Sequence, residues 1–224
     1  MSLRARLYRH RSSLHASGTN LENPNARRRA WKYVMIYDHG ILRSFWTNFS
    51  KVAREVYRAN QPSPDRLKTY RDQGIKTILN LRGASANPPY LFAKDACAKL
   101  GLHLIDVPSF SARQAPSRDT LQTILNALQT CEKPVLMHCK SGADRTSLAA
   151  VVYLLSQGAS VDSARKHLSI RFIHFKWTKT GVMDHIVDCF EEAQAKTDCS
   201  FQDWLDADYD GAKIQASFDA KRKA

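Results

Sequence analysis

Long apolar runs are missing from this sequence. None of its hydrophobic stretches approaches the about 20 residues that cross a bilayer, and its basic start, MSLRARLYRHRSS, lacks the apolar centre of a secretory signal. We therefore expect neither a membrane-spanning helix nor a secretory leader. The 224 residues are enough to bury a sizeable core, and they favour one domain with decorated ends over two equal domains.

Cysteine is also sparse. The five residues form an odd set without paired spacing: Cys97, Cys131, Cys139, Cys189 and Cys199. This pattern indicates free thiols rather than a disulfide framework, and free thiols are typical of a reducing compartment. We therefore predict a cytoplasmic protein, and the sequence leaves open a peripheral position at a membrane.

Acidic residues are outnumbered, with 21 Asp and Glu against 34 Lys and Arg, which gives a net charge of +13. Such an excess favours anionic partners, namely phosphates, nucleic acid or anionic lipid, and no base-stacking motif supports nucleic acid. About half of the excess lies in residues 1–32. Residues 1–30 are predicted to form a basic, flexible arm that is either solvated or in contact with an anionic membrane surface.

The rest of the chain divides into three parts by its pattern. Residues 31–50 mix aromatic and aliphatic side chains and predict a helical lead-in, broken at Gly40. Residues 51–175 alternate short apolar strands with helices, which predicts an α/β core with a central, mostly parallel sheet flanked by helices. Residues 176–224 predict a C-terminal helical extension that packs on this core.

Cap and turn residues mark the elements inside the core. Ser63 and Ser117 are each predicted to cap a helix, and residues 108–116 are predicted to be a loop. Residues 161–172 predict a further helix. The apolar stretch 134–138 predicts a strand that leads directly into a polar, glycine-containing segment.

That segment carries the candidate chemistry. Residues 139–146, Cys-Lys-Ser-Gly-Ala-Asp-Arg-Thr, lie between the predicted strand and an apolar helix. At such a junction, consecutive backbone N–H groups and the positive end of the helix can hold a phosphate. The predicted phosphate-binding residues are Lys140, Ser141, Gly142, Ala143, Asp144 and Arg145.

Individual residues of the segment suit separate parts of phosphate chemistry. The guanidinium of Arg145 can hold two phosphate oxygens at once, and the same positive field favours a nucleophilic thiolate at Cys139. Gly142 permits close approach of the phosphate. Thr146 can donate its hydroxyl to the sulfur, whereas His138 is expected to order the loop rather than to act as a base.

The sequence HCKSGADRTS resembles the His-Cys-x5-Arg-Ser/Thr signature of dual-specificity and protein tyrosine phosphatases. Together with VYRANQPSPDRL and IKTILNLRG, it looks like the compact bacterial and fungal dual-specificity-like phosphatases. The resemblance implies a dual-specificity phosphatase-like fold and a two-step hydrolysis of phosphate monoesters. Cys139 would form a cysteinyl-phosphate held by Arg145, and water would release phosphate, without a metal or other cofactor.

The general acid is the point where this resemblance fails. In the family an Asp on a separate loop protonates the leaving oxygen, but the corresponding residues 108–116 contain no carboxylate. Asp144 is one candidate, because the segment is similar to that of the myotubularin lipid phosphatases in its Cys-x-x-Gly-x-Asp-Arg-Thr pattern. Asp144 could instead only brace the loop. Asp106, at the end of a predicted strand, is the alternative acid.

The substrate stays open at this point. Lys140 and its Lys-Ser-Gly context resemble phosphoinositide phosphatases of the phosphatase-and-tensin-homologue type, in which a loop lysine meets an extra substrate phosphate. The expected partners are proteins phosphorylated on tyrosine, serine or threonine, or phosphoinositides and inositol phosphates. Two rival functions are a pseudophosphatase that holds phosphorylated partners without turnover and a sulfurtransferase or arsenate reductase with the same activated cysteine.

Overall fold

The structure, a computed structural model, describes residues 20–222. One sheet has the strand order β1-β2-β5-β3-β4, in which β1 pairs antiparallel with β2 and the other neighbours pair in parallel. The strands are β1 Ser50–Ala53, β2 Val56–Ala59, β3 Thr77–Asn80, β4 His103–Asp106 and β5 Val135–His138. The predicted α/β class with a central, mostly parallel sheet is confirmed.

Helices cover both faces of the sheet. Successive residues of a strand point to opposite faces, so Ile78 and Leu136 belong to the cluster under α3 and α4, and Leu79 and Val135 to the larger cluster under α5, α6 and α8–α10. The helices are α1 Pro24–Ile36, α2 Gly40–Phe45, α3 Pro64–Asp72, α4 Pro88–Leu100, α5 Arg118–Thr130, α6 Asp144–Ser156, α7 Val161–Arg165, α8 Val182–Thr197, α9 Phe201–Ala207 and α10 Gly211–Lys221. No helix within residues 20–222 has the length and apolar character needed to cross a bilayer.

Serine side chains begin several of these helices as the sequence predicts. Ser63 accepts a hydrogen bond from the N–H of Arg66, and Ser117 accepts one from the N–H of Thr120. Helix α6 differs, because Ala143 precedes it and no side chain caps its first turn. Its first N–H groups therefore remain free to bind an anion from outside the helix.

The structure differs from the sequence predictions in three elements. The sequence predicts a flexible arm over residues 1–30, but α1 begins at Pro24, where the Asn23 side chain caps the helix. Residues 1–19 of the predicted arm lie outside the described part of the chain. Strand β1 is absent from the sequence predictions; it forms a hairpin with β2 through a turn at Arg54 and Glu55. The single helix predicted for residues 161–172 is wrong: α7 ends at Arg165, and only a 3₁₀ turn, Ile170–Phe172, follows.

Candidate active site

The segment after β5 lies at the carboxyl edge of the sheet, where the sequence placed it. Strand β5 is fully buried between β2 and β3, and Cys139 follows it directly with only 2% of its surface exposed. The next residues lead into α6, whose uncapped first turn faces the same loop. We call residues 139–146 the phosphate-binding loop.

Glycine is required at position 142 of this loop. Gly142 has a φ of 72°, in the left-handed region, and a Cβ atom there would lie 2.8 Å from backbone atoms of Ala59 and Asn60. A side chain would therefore both strain the backbone and push the loop away from β2. This close approach fixes the curvature of the loop around the position of the sulfur.

Arg58 supports the loop from below. Its side chain is completely buried, and its guanidinium donates to the carbonyl of Gly142 and, at 2.8 Å, to the hydroxyl of Ser147. It also lies 3.7 Å from the centre of the Phe172 ring. Burial lowers the pKa of Arg58 to about 9, although the negative charge of Cys139 counteracts this effect. Arg58 is a functional candidate that the sequence did not indicate; its only signal is a charged residue within a short, otherwise uncharged strand.

Asn48 and Gln61 hold the loop from the side. The Asn48 amide donates to the carbonyl of Ser141 at 3.1 Å and to that of Phe172 at 2.9 Å. The Gln61 N–H donates to the carbonyl of Lys140 at 3.1 Å. These two loop carbonyls are thus occupied by groups of the protein.

The Cys139 thiol is poised to ionise. Burial raises its pKa, but the positive charge of Arg145 and the nearby polar groups of Thr146 and Gly142 outweigh burial and leave the pKa below its usual value. The thiolate is the nucleophilic form of cysteine.

Two backbone carbonyls hold the guanidinium of Arg145 in place. One terminal nitrogen donates to the carbonyls of Leu81, at 3.2 Å, and Phe110, at 3.3 Å. The Nε–H is buried and has no partner within the described residues. An unpaired buried N–H is costly. The Phe110 carbonyl comes from the loop that lacks the expected carboxylate.

His138 is a buried, neutral residue behind the nucleophile. Its Nδ1 lies 3.2 Å from the carbonyl of Cys139, the hydrogen bond expected of a residue that orders the loop. Burial, together with the charges of Arg82 and Arg145, lowers the pKa of His138 to about 4. The imidazole is therefore uncharged at neutral pH.

Asp144 belongs to a chain of three ionisable groups. His174 is 1% exposed; its Nδ1 lies 2.8 Å from Oδ1 of Asp144, and its Nε2 lies 2.7 Å from Oδ2 of Asp184. Burial alone would lower the pKa of His174, but the two carboxylates raise it to about 9, so the ring is an imidazolium at neutral pH. His174 and Asp184 are absent from the sequence predictions, because no motif surrounds them.

Both carboxylate oxygens of Asp106, the alternative acid, accept hydrogen bonds from other side chains. Its Oδ1 accepts from the Asn80 amide at 2.8 Å, and its Oδ2 accepts from the Tyr90 hydroxyl at 2.6 Å. Both oxygens thus serve contacts within the sheet edge and α4. This arrangement is typical of a structural carboxylate.

Lys140 points toward the N-terminal helices. Its Nζ lies 3.0 Å from Nδ1 of His39 and 3.6 Å from Oδ1 of Asp38. Asp38, which is buried, also pairs with Arg43 and Arg82 at 2.8 Å each. Three cations therefore surround one carboxylate beside the phosphate-binding loop, and the surplus positive charge favours an anionic ligand.

A cavity of about 290 Å³ opens beside this charged group. Arg145, Arg82, Asn80, Tyr90 and Ser109 are among the residues that line it. Its size is close to that of small-molecule sites. Among residues 20–222, no three or more His, Cys, Asp or Glu side chains are grouped so as to hold a metal ion.

Two solved structures share the fold. TpbA from P. aeruginosa is 20% identical, with a TM-score of 0.53 over 66% of this chain and 91% of TpbA. The core catalytic domain of the PP-IP phosphatase SIW14 from S. cerevisiae is 20% identical, with a TM-score of 0.51 over 67% of this chain and 93% of that domain. At this identity the likeness concerns the fold.

The sequence itself matches known proteins over its core. The beta-lactamase hydrolase-like protein of Xylella fastidiosa is 32% identical over 104 residues, which cover 44% of this chain but only 22% of that protein. A family model described as a DSP-PTPase phosphatase fused to NAD+ kinase matches residues 44–183, more than half of the chain. The predicted resemblance is confirmed: the chain belongs to this family of DSP-PTPase phosphatases.

Proposed function

We propose that this phosphatase hydrolyses phosphate monoesters through a cysteinyl-phosphate on Cys139. The observation that carries the proposal is the buried Cys139 thiol, whose pKa is held down by Arg145 and by N–H groups of its own loop. The same groups would receive the substrate phosphate. One set of donors would therefore both activate the nucleophile and orient the phosphorus in front of it.

In the first step, the Cys139 thiolate attacks phosphorus and the bond to the leaving oxygen breaks. The Arg145 Nε–H, which lacks a partner in the described chain, would donate to a phosphate oxygen and stabilise the charge that gathers there. In the second step, water attacks the cysteinyl-phosphate. The phosphorus–sulfur bond breaks, phosphate leaves and the thiolate is restored.

We propose that Asp144 donates a proton to the leaving oxygen and that His174 supplies this proton to Asp144. The proton on Nδ1 of His174 lies on a 2.8 Å hydrogen bond to Asp144, so a shift along this bond makes Asp144 a carboxylic acid that can protonate the leaving oxygen. Asp184 would stabilise His174 through its second nitrogen. In the second step, the attacking water returns a proton to the pair.

The test is hydrolysis of an activated aryl phosphate by the wild type and by Cys139→Ser. The serine variant is expected to lose at least about a thousandfold in kcat/KM, because a hydroxyl is a far weaker nucleophile than a thiolate. Cys199→Ser is the matched control, since Cys199 lies between α8 and α9, and it should keep full activity. If the wild type does not hydrolyse the substrate, the proposal is wrong and a pseudophosphatase function is favoured. A persulfide on Cys139 would favour sulfur transfer.

The substrate class proposed here is a phosphorylated protein, or a phosphoinositide or inositol phosphate. The surplus of cations at Lys140, Arg43 and Arg82 supports a substrate with more than one negative group. One enzyme preparation assayed on phosphopeptides, phosphoinositides and inositol phosphates separates these classes by kcat/KM. All five cysteines are free thiols, which supports a reducing, cytoplasmic location as part of the same proposal.

A further inference from the structure

Exposed apolar side chains are concentrated in two parts of the described chain. All large apolar side chains that are exposed within residues 20–222 fall in residues 31–49 or 170–177. They are Trp31, Ile36, Ile41, Leu42, Phe45 and Phe49 in the first segment, and Ile170, Ile173, Phe175 and Trp177 in the second. Single exposed apolar residues are common on protein surfaces, but a concentration of them marks an interaction site.

Both segments adjoin the phosphate-binding loop. The Asn48 amide, in the first segment, donates to the carbonyls of Ser141 and Phe172, which belong to the loop and to the second segment. His174, in the second segment, contacts Asp144 of the loop at 2.8 Å. Both segments that carry the exposed apolar side chains are therefore joined directly to the phosphate-binding loop or to its neighbours.

The exposed charged side chains of these segments are all basic, since Asp38 is buried. Residues 166–179 contain the exposed cations Lys166, Arg171, Lys176 and Lys179 and no Asp or Glu, and residues 39–54 also contain no acidic residue. Within the second segment, the rings of Phe175 and Trp177 lie 5.2 Å apart, and both are exposed. Trp and Phe interleaved with Lys and Arg are typical of surfaces that insert into the headgroup region of a bilayer.

We propose that residues 166–179 and helix α2 dock on an anionic lipid bilayer and turn the opening of the active site toward the membrane surface. The docking itself does not depend on catalysis. Its consequence for the substrate, a phosphate ester displayed at the bilayer, rests on the proposed phosphatase function.

Charge distinguishes the bilayer from the other occupants of this surface. A second copy of the chain, docked through the same face, would bring the same cations together, which is unfavourable. Residues 1–19 contain Arg4, Arg6, Arg9 and Arg11 without an acidic residue, so they too would meet like charge. Anionic headgroups supply the opposite charge, and the acyl boundary accepts Phe45 and Trp177.

The experiment is co-sedimentation of the full chain with two kinds of vesicle. One is phosphatidylcholine alone, and the other is an equal mixture of phosphatidylcholine and phosphatidylglycerol. We expect binding to the anionic vesicles that weakens as salt is raised. Phe175→Ser combined with Trp177→Ser, and separately Lys176→Gln combined with Lys179→Gln, should each weaken binding about tenfold or more.

Two controls make the outcome decisive. Lys68→Gln combined with Lys196→Gln removes the same charge from exposed positions of α3 and α8, and binding should change far less. Cys139→Ser should bind vesicles like the wild type, so a failure of docking is distinguishable from a failure of the proposed hydrolysis. Absence of vesicle binding, equal binding to both kinds of vesicle, or a dimer lost in the Phe175/Trp177 variant would overturn the proposal.

Discussion

At the scale of single residues, the site consists of charges that control one another's ionisation. Arg145 lowers the pKa of the Cys139 thiol against the effect of burial, while His138 stays neutral because burial lowers its pKa. His174 is the opposite case, since its two carboxylate neighbours keep it protonated in spite of burial. One positive charge thus faces the thiolate, and another faces Asp144.

The role of His174 can be tested with leaving groups of different quality. In His174→Asn, hydrolysis of an alkyl phosphate is expected to fall about a hundredfold or more relative to an aryl phosphate, because only the alkyl leaving group needs a proton. Asp144→Asn should show the same pattern. The measurement is kcat/KM for both substrates with each variant.

Asp106→Asn is the control, and it should leave the ratio of the two rates unchanged. A merely structural role for His174 would slow both substrates equally, and this result would contradict the proton path. If Asp106→Asn alone changed the ratio, the alternative acid would be correct, despite the contacts of Asp106 with Asn80 and Tyr90.

At the scale of elements, the loop depends on its neighbours as much as on its own sequence. Gly142 approaches the β2–α3 junction so closely that a Cβ has no room, whereas Gly158, after α6, has a similar φ of 78° with nothing within 4 Å of such an atom. The two glycines share the same backbone preference but not the same surroundings. Alanine variants of the two glycines therefore separate the cost of backbone strain from the effect of displacing the loop.

Gly158→Ala is expected to cost about 1 kcal/mol of stability and to leave activity unchanged, because only the backbone conformation is penalised. Gly142→Ala should also lower kcat/KM at least about a hundredfold, since the loop must move away from β2. Denaturant unfolding and aryl phosphate hydrolysis measure the two effects. Equal activity of the two variants would contradict this account of the loop.

At the scale of the whole molecule, His174 ties the segment between α7 and α8 to the phosphate-binding loop. Its pKa is raised from 6.5 to about 9 in the folded protein, so folding favours the protonated ring. This contribution is fully present below about pH 6.5, falls as the pH rises and is lost above about pH 9.

The free energy of unfolding should therefore decrease between about pH 6.5 and pH 9, by about 3 kcal/mol. In His174→Gln this decrease should be absent or much smaller, since glutamine does not titrate. Urea unfolding of both proteins across this range is the measurement. Parallel pH profiles for the two proteins would show that His174 does not carry the effect.

Much of the fold could be predicted because its signals are local. Ser63 and Ser117 cap their helices by contacts three residues away, and β5 is apolar throughout because both faces of the sheet are covered. The helix predicted over 161–172 is not formed as a single element, and a tertiary contact accounts for this. The guanidinium of the buried Arg58 donates to the carbonyl of His167 at 3.3 Å. A pattern of apolar residues carries no trace of such a contact.

The sequence by itself determined the phosphate-binding loop, because Cys139, Gly142 and Arg145 lie on one short segment between a strand and a helix, and their chemistry depends on that local backbone. Only the tertiary structure decided what surrounds the loop. His174 reaches Asp144 across 30 residues of chain, and Asn48 joins Phe172 across 124. Such partners meet only when the sheet is closed by its helices, and no spacing in the sequence encodes their distance in space.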